Sequence, residues 1–140
     1  MPTTLYWGAA LGVVAMLALL LQTPARPPWQ GQFPPLPTAT ITVGDRPLVV
    51  ETAADPAARA RGLGYREGLA ADTGMLFVQD EPSIQSFWMK GMRFCLDIVW
   101  IEDGEIVGAA ENACPDPEGT LDADRQRFLS PEPVRYVLEV

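Results

Sequence analysis

Short apolar runs bounded by turn residues fill residues 38–140. ATITV and LVVET (residues 39–43 and 48–52) flank the turn cluster Gly44-Asp45-Arg46-Pro47, which predicts a two-stranded hairpin. Asp55-Pro56 is a helix start, because the carboxylate accepts from first-turn N–H groups and proline suits the first helical position. With Gly62 as the stop, PAARAR (56–61) is expected to form one short helix. GMLFV (74–78) reads as a buried strand and SFWM (86–89) as another; LDIVWI (96–101) and EIVGAAE (105–111) form a pair around Asp103-Gly104, the dipeptide suited to a two-residue hairpin turn. VRYVLEV (134–140) closes the pattern as a strand. Residues 114–133, polar and carrying four prolines, are too long for an idle connection. They are either a functional loop or structure that the pattern does not resolve. The fold class is therefore α+β, predominantly antiparallel β with one short helix.

The N-terminal end is patterned differently. Residues 5–21 (LYWGAALGVVAMLALLL) are seventeen positions without a charge, a length that as a helix spans ~25 Å at ~1.5 Å per residue, the short limit for crossing a bilayer. Thr23 and Ala25 offer small side chains to a signal peptidase, but the leading MPTT has no basic side chain, which favours a retained anchor over a cleaved signal. Residues 24–37 (PARPPWQGQFPPLP) hold six prolines in fourteen positions. Proline removes backbone donors and fixes φ, so this stretch reads as a stiff extended spacer. The expected organisation is a signal or transmembrane segment at 1–23, a proline-rich linker at 24–37 and one β-rich domain at 38–140.

Charge narrows the partners. The whole chain carries a formal net charge of −8, and residues 38–140 hold nine of the ten basic groups and all eighteen acids, hence 9 − 18 = −9. Long-range repulsion then argues against nucleic acid. The two cysteines, Cys95 and Cys114, fall on the two strands of the Asp103-Gly104 hairpin. Residues paired across that turn sum to 207 and the cysteines to 209, an offset that a bulge in the ladder can correct. In an oxidising compartment they are a disulfide candidate; the alternative is two separate buried thiols.

The runs RGLGYREGL, GMLFV, SFWMKGMRFCLDIVWI, GEIVGAAEN and VRYVLEV together resemble the domain of unknown function 192 family. The likeness covers roughly residues 41–140 and rests most heavily on Phe87, Trp88, Met89 and Lys90 with Leu96, Asp97 and Ile98. It implies a compact, strand-rich, barrel-like domain with a short helix, often exported or membrane tethered, and it implies no reaction. Gly91-Met92, Cys95 and Gly64 depart from the family's usual Asn-Thr, proline and methionine.

Lys90 is the single lysine of the chain, and it sits two residues from Trp88. Its stem can lie along Trp88 while the ammonium meets water or an acid. Asp97, which interrupts an apolar strand, is the natural partner; otherwise its carboxylate would take backbone N–H groups at a loop. A sharper reading joins Lys90, Arg61 and Arg66 around a small anionic ligand beside Trp88. Catalysis is poorly served: there is no histidine for a nucleophile–base pair, and no carboxylate spacing stands out. Met75, Met89 and Met92 read as core filling rather than copper ligands, so no metal and no cofactor are expected. The function these features support is a membrane-tethered envelope protein with its domain outside the cytoplasm, acting as a non-catalytic binding or interaction module for a small anion or an envelope protein. If the N-terminal helix is cleaved, the domain is secreted. The competing reading is a hydrolytic or carbohydrate-active envelope enzyme centred on Lys90 and Asp97. Oligomeric state is not legible in the sequence.

Overall fold

A computed structural model describes residues 34–140; the membrane or signal segment expected at 1–23 and most of the proline-rich spacer lie outside them. Among the described residues, no helix is long and apolar enough to cross a membrane. Residues Leu36–Val140 form one compact unit.

The chain enters as β1 (Thr38–Val43) and returns as β2 (Arg46–Ala53) across a two-residue turn, Gly44-Asp45. Helix α1 (Pro56–Arg61) follows as expected, with the Asp55 carboxylate accepting from Ala58 N–H at 2.9 Å and Gly62 N–H donating to the Ala58 carbonyl at 3.0 Å. The crossover through α1 brings β3 (Thr73–Ser83) alongside β2 in parallel, the one parallel pairing of the main sheet. After the short β4 (Ser86–Phe87) come β5 (Leu96–Glu102) and β6 (Glu105–Ala113), then a 3-10 turn at Asp122–Asp124, β7 (Phe128–Leu129) and β8 (Val134–Glu139). The six-stranded sheet runs β1-β2-β3-β8-β5-β6, with β4 and β7 as a separate two-stranded ribbon.

The barrel expected from the family resemblance is not closed. β1 pairs with β2 and β6 with β5, and the two edge strands do not join. A closed barrel has one interior, whereas this sheet packs apolar residues on both faces. One face carries the main core, including Met75, Phe77, Ile98, Trp100 and Val137, beneath α1 and the long loops. The other carries a smaller cluster of Leu48, Val50 and Leu138. The central strand β8, last in sequence, contributes to both.

The expected SFWM strand is only half formed. Ser86 and Phe87 pair with Leu129 and Phe128, but Trp88 and Met89 leave the ribbon. Phe87 wedges its ring edge-to-face between Phe77 (4.9 Å) and Trp100 (5.7 Å), and Met89 turns inward to 2% exposure.

In the β5–β6 hairpin, Asp103 and Gly104 both take positive φ, as this tight turn requires. The ladder starts at Glu102↔Glu105, slips once between Trp100 and Ile101 and again between Leu96 and Ile98, and reaches Leu96↔Ala113. The slips bring Cys95 opposite Cys114, Cα atoms 4.1 Å apart, and the two are joined in a disulfide. Asp97 lies at the second slip, and its carboxylate accepts from the N–H of Asn112, which holds a positive φ of 51°. The alternative read from sequence for Asp97, a carboxylate taking a backbone N–H, is the one realised.

Candidate functional site

The segment after β4 is shaped by two residues around Lys90. Met89 is anchored in the core, and Gly91 adopts φ 76°, with the Tyr65 ring where a side chain would stand: an added Cβ would come within 3.0 Å of it. Tyr65 N–H donates to the Gly91 carbonyl at 2.7 Å. An inward methionine and a left-handed glycine therefore turn the intervening lysine outward. Lys90 reaches Asp122 at 2.5 Å, not Asp97. Asp97 borders another cavity, of about 660 Å³, beside Cys95 and Leu48. The expected Lys90–Asp97 pair is replaced because Asp97 is held at the hairpin bulge.

Asp122 ties Lys90 to the loop of residues 114–133. Arg125 donates to Asp122 at 3.0 Å and to Asp116 at 3.4 Å, while Gln126 N–H donates to Asp116 at 3.1 Å. The hydrogen bond from Lys90, and then that from Arg125, holds the Asp122 carboxyl below its ordinary range. Arg127 stacks over Trp88 at 3.9 Å from the ring centroid, with the Lys90 ammonium at 5.1 Å. β7 then fastens to β4, and Ser130 exchanges hydrogen bonds with Gln85: its hydroxyl accepts from Gln85 N–H and its own N–H donates to the Gln85 carbonyl, each at 2.9 Å. The long loop is thus a folded strap across the Trp88–Lys90 segment.

Between that segment and the end of α1 lies a cleft of about 340 Å³. Arg59, Arg61 and Lys90 supply its cationic lining, Phe77, Phe87, Trp88 and Met92 its apolar walls, and Glu139 an acid. Arg59 is bound into the framework, donating to the carbonyls of Ala54 (2.6 Å) and Val78 (2.8 Å). Of the residues selected from sequence, Arg61, Trp88 and Lys90 meet here. Arg66 does not line the cleft: it grips the Glu51 carboxylate with both terminal nitrogens, at 2.5 and 2.9 Å. That hydrogen bond lowers the Glu51 carboxyl and raises Arg66.

Glu139 was missed by sequence reasoning. It sits on β8 between Met75 of β3 and Ile98 of β5, on the core face of the sheet. Only 5% of it is exposed, and among the described residues its Oε2 has no hydrogen-bond partner. Burial pushes its carboxyl up to about 7. An acid that is desolvated and unpaired in the wall of a cleft is a physical marker of a functional position. Among the described residues, no cluster of three or more cysteines and acids is arranged to hold a metal ion.

The cleft and its sheet can now be set beside known proteins. Residues 39–140 match the family DUF192, described as an uncharacterised ACR, and the chain belongs to it. A solved structure from Sinorhizobium meliloti 1021, described as a candidate transcription regulator, is 40% identical, with a TM-score of 0.61 over 74% of this chain and 77% of that one. Another, a protein of unknown function from Novosphingobium aromaticivorans DSM 12444, is 29% identical with the same TM-score, over 74% and 71% of the two chains. No curated protein matches.

Proposed function

We propose that this protein is a membrane-tethered envelope protein whose domain binds a small organic anion in the cleft between α1 and the Trp88–Lys90 segment. One observation carries the reading. In a chain of net charge −8, three of the four charged side chains lining the cleft among the described residues are cationic, and the fourth is an acid that burial moves toward its neutral form. A cation-lined concavity in an acidic protein focuses anions locally even though the whole molecule repels them. Apolar walls from Phe77, Phe87 and Met92 suit the carbon skeleton of an organic acid. The Lys90–Asp122 pair is solvent-exposed, so an incoming anion can compete for the ammonium at small cost.

The envelope location rests on the uncharged run at residues 5–21, the proline-rich spacer behind it, and the Cys95–Cys114 disulfide, a bond suited to an oxidising compartment. The enzyme reading centred on Lys90 and Asp97 gains nothing from the geometry, because the two residues border different cavities. A nucleic-acid role is not carried over from the Sinorhizobium relative, since the acidic balance opposes it.

Native mass spectrometry of the full-length chain, extracted in mild detergent without chelators, tests the proposal. The expected result is an adduct of small-acid mass that is lost in the Arg61→Ala/Lys90→Ala variant. A bare chain mass accompanied by a stoichiometric co-purifying protein would move the assignment to an envelope protein partner.

A further inference from the structure

Glu139 is positioned by backbone register rather than by a mobile loop. Its strand is paired on both sides, so the backbone fixes this position on the core face in the middle of the sheet. Met75 and Ile98 flank it, both fully buried. A buried polar atom without a partner is costly, and although Oε2 is itself closed to solvent, its residue lines the cleft. Two of the cations lining the cleft are held by the chain, Arg59 by two carbonyls and Lys90 by Asp122, and Arg66 outside it is held by Glu51.

We infer that Glu139 reads the inner end of the ligand in its acid form, donating a hydrogen bond to an acceptor oxygen. The cleft accordingly takes organic acids with a second oxygen beyond an apolar spacer, and binding is coupled to proton uptake. This rests on the anion-binding reading above and adds the ligand class and the proton coupling. The charged groups that share the cleft lining with Glu139 are Arg59 and Arg61 from the helix and Lys90 from the segment after β4, and the Arg66-bound Glu51 lies across Met75 in the same row of the sheet. The chain contains no histidine, so no imidazole titrates alongside. Burial raising this carboxyl to about 7 agrees with an acid form populated near neutrality.

Levulinate and valerate form a matched pair: they share a carboxylate and a chain length and differ by one ketone oxygen, which can only accept. Their binding to the full-length chain is followed through the Trp88 indole and Met92 methyl NMR signals at about pH 5.5 and about pH 8.5, either side of the usual histidine range. We expect levulinate to bind about three- to tenfold more tightly than valerate at the lower pH, the worth of one neutral hydrogen bond, and the preference to vanish at the higher. Glu139→Gln, whose amide donates at either pH, should keep the preference at both. Equal binding of the two acids at the lower pH, or a wild-type preference that persists at the higher, overturns the role of Glu139 while leaving the anion cleft standing. Failure of both acids to move either signal at either pH overturns the anion reading itself. The two wild-type pH arms decide the matter even if the variant does not fold.

Discussion

Glu51 and Glu139 occupy one row of the sheet, on the same face, with Met75 between them. Two strand spacings separate their backbones, roughly 10 Å, yet their chemistry is opposite. Glu51 is about a third exposed and clasped by the Arg66 fork, which lowers its carboxyl. Glu139 is buried, has an unpartnered oxygen, and is pushed up to about 7. The difference comes from strand order. β2 lies next to the sheet edge, where the segment after α1 can bring an arginine over it, while β8 is central and has only apolar neighbours in the row. One acid is paired within the framework, and the other has an oxygen without a partner among the described residues.

The largest change expected comes from removing the divider. Met75 is completely buried, so Met75→Ala should cost about 2–5 kcal/mol from lost transfer and the cavity left behind. Denaturant unfolding would show it, and water entering the gap should draw the Glu139 titration downward. Next is Glu139→Gln. Because the folded carboxyl titrates above its unfolded value of 4.5, the native state holds the proton more tightly, and wild-type stability should decline as pH rises from 4.5 to about 7. Above that window the glutamine variant should be more stable by roughly 3 kcal/mol, and in acid about equal. Unfolding curves on either side of the window check both the size and the sign.

Arg66→Ala should act in the reverse sense and more weakly. The Glu51 carboxyl is depressed, so its contribution is present above the unfolded value and fades as pH falls through the folded one. A loss of about 1–2 kcal/mol is expected at neutral pH, shrinking in acid. Lys90→Ala comes last: its pair with Asp122 is solvent-exposed, so the unfolding midpoint should stay near wild type while anion binding weakens. A Lys90→Ala protein that unfolds would instead make Lys90 a framework residue.

Most strands were legible in the sequence because their punctuation is local. Asp55-Pro56, Asp103-Gly104 and the offset of Cys95 from Cys114 each specify geometry within a few residues or along one ladder. Closure of the sheet was not legible, since it depends on whether β1 and β6, far apart in sequence, meet at all. Lys90, Arg61 and Trp88 were legible as a cluster, but the partner of Lys90 was not: Asp122 arrives from the polar strap at 114–133, whose fold depends on the Asp116–Arg125 contact and the β4–β7 ribbon. Glu139 escaped for a specific reason. In VRYVLEV the apolar residues Val134, Tyr136, Leu138 and Val140 alternate, which would put Glu139 on a solvent face. That rule assumes one wet face, and β8 buries Val137 and Leu138 on opposite sides.

The central claim is that Glu139 is a desolvated, unpartnered acid in the wall of a binding cleft. Following the side-chain carboxyl ¹³C shift of Glu139 through a pH titration of the ligand-free protein tests it most directly. The account requires a midpoint near 7. A midpoint at the ordinary value of 4.5 would show a hydrated or already paired carboxylate and would contradict it.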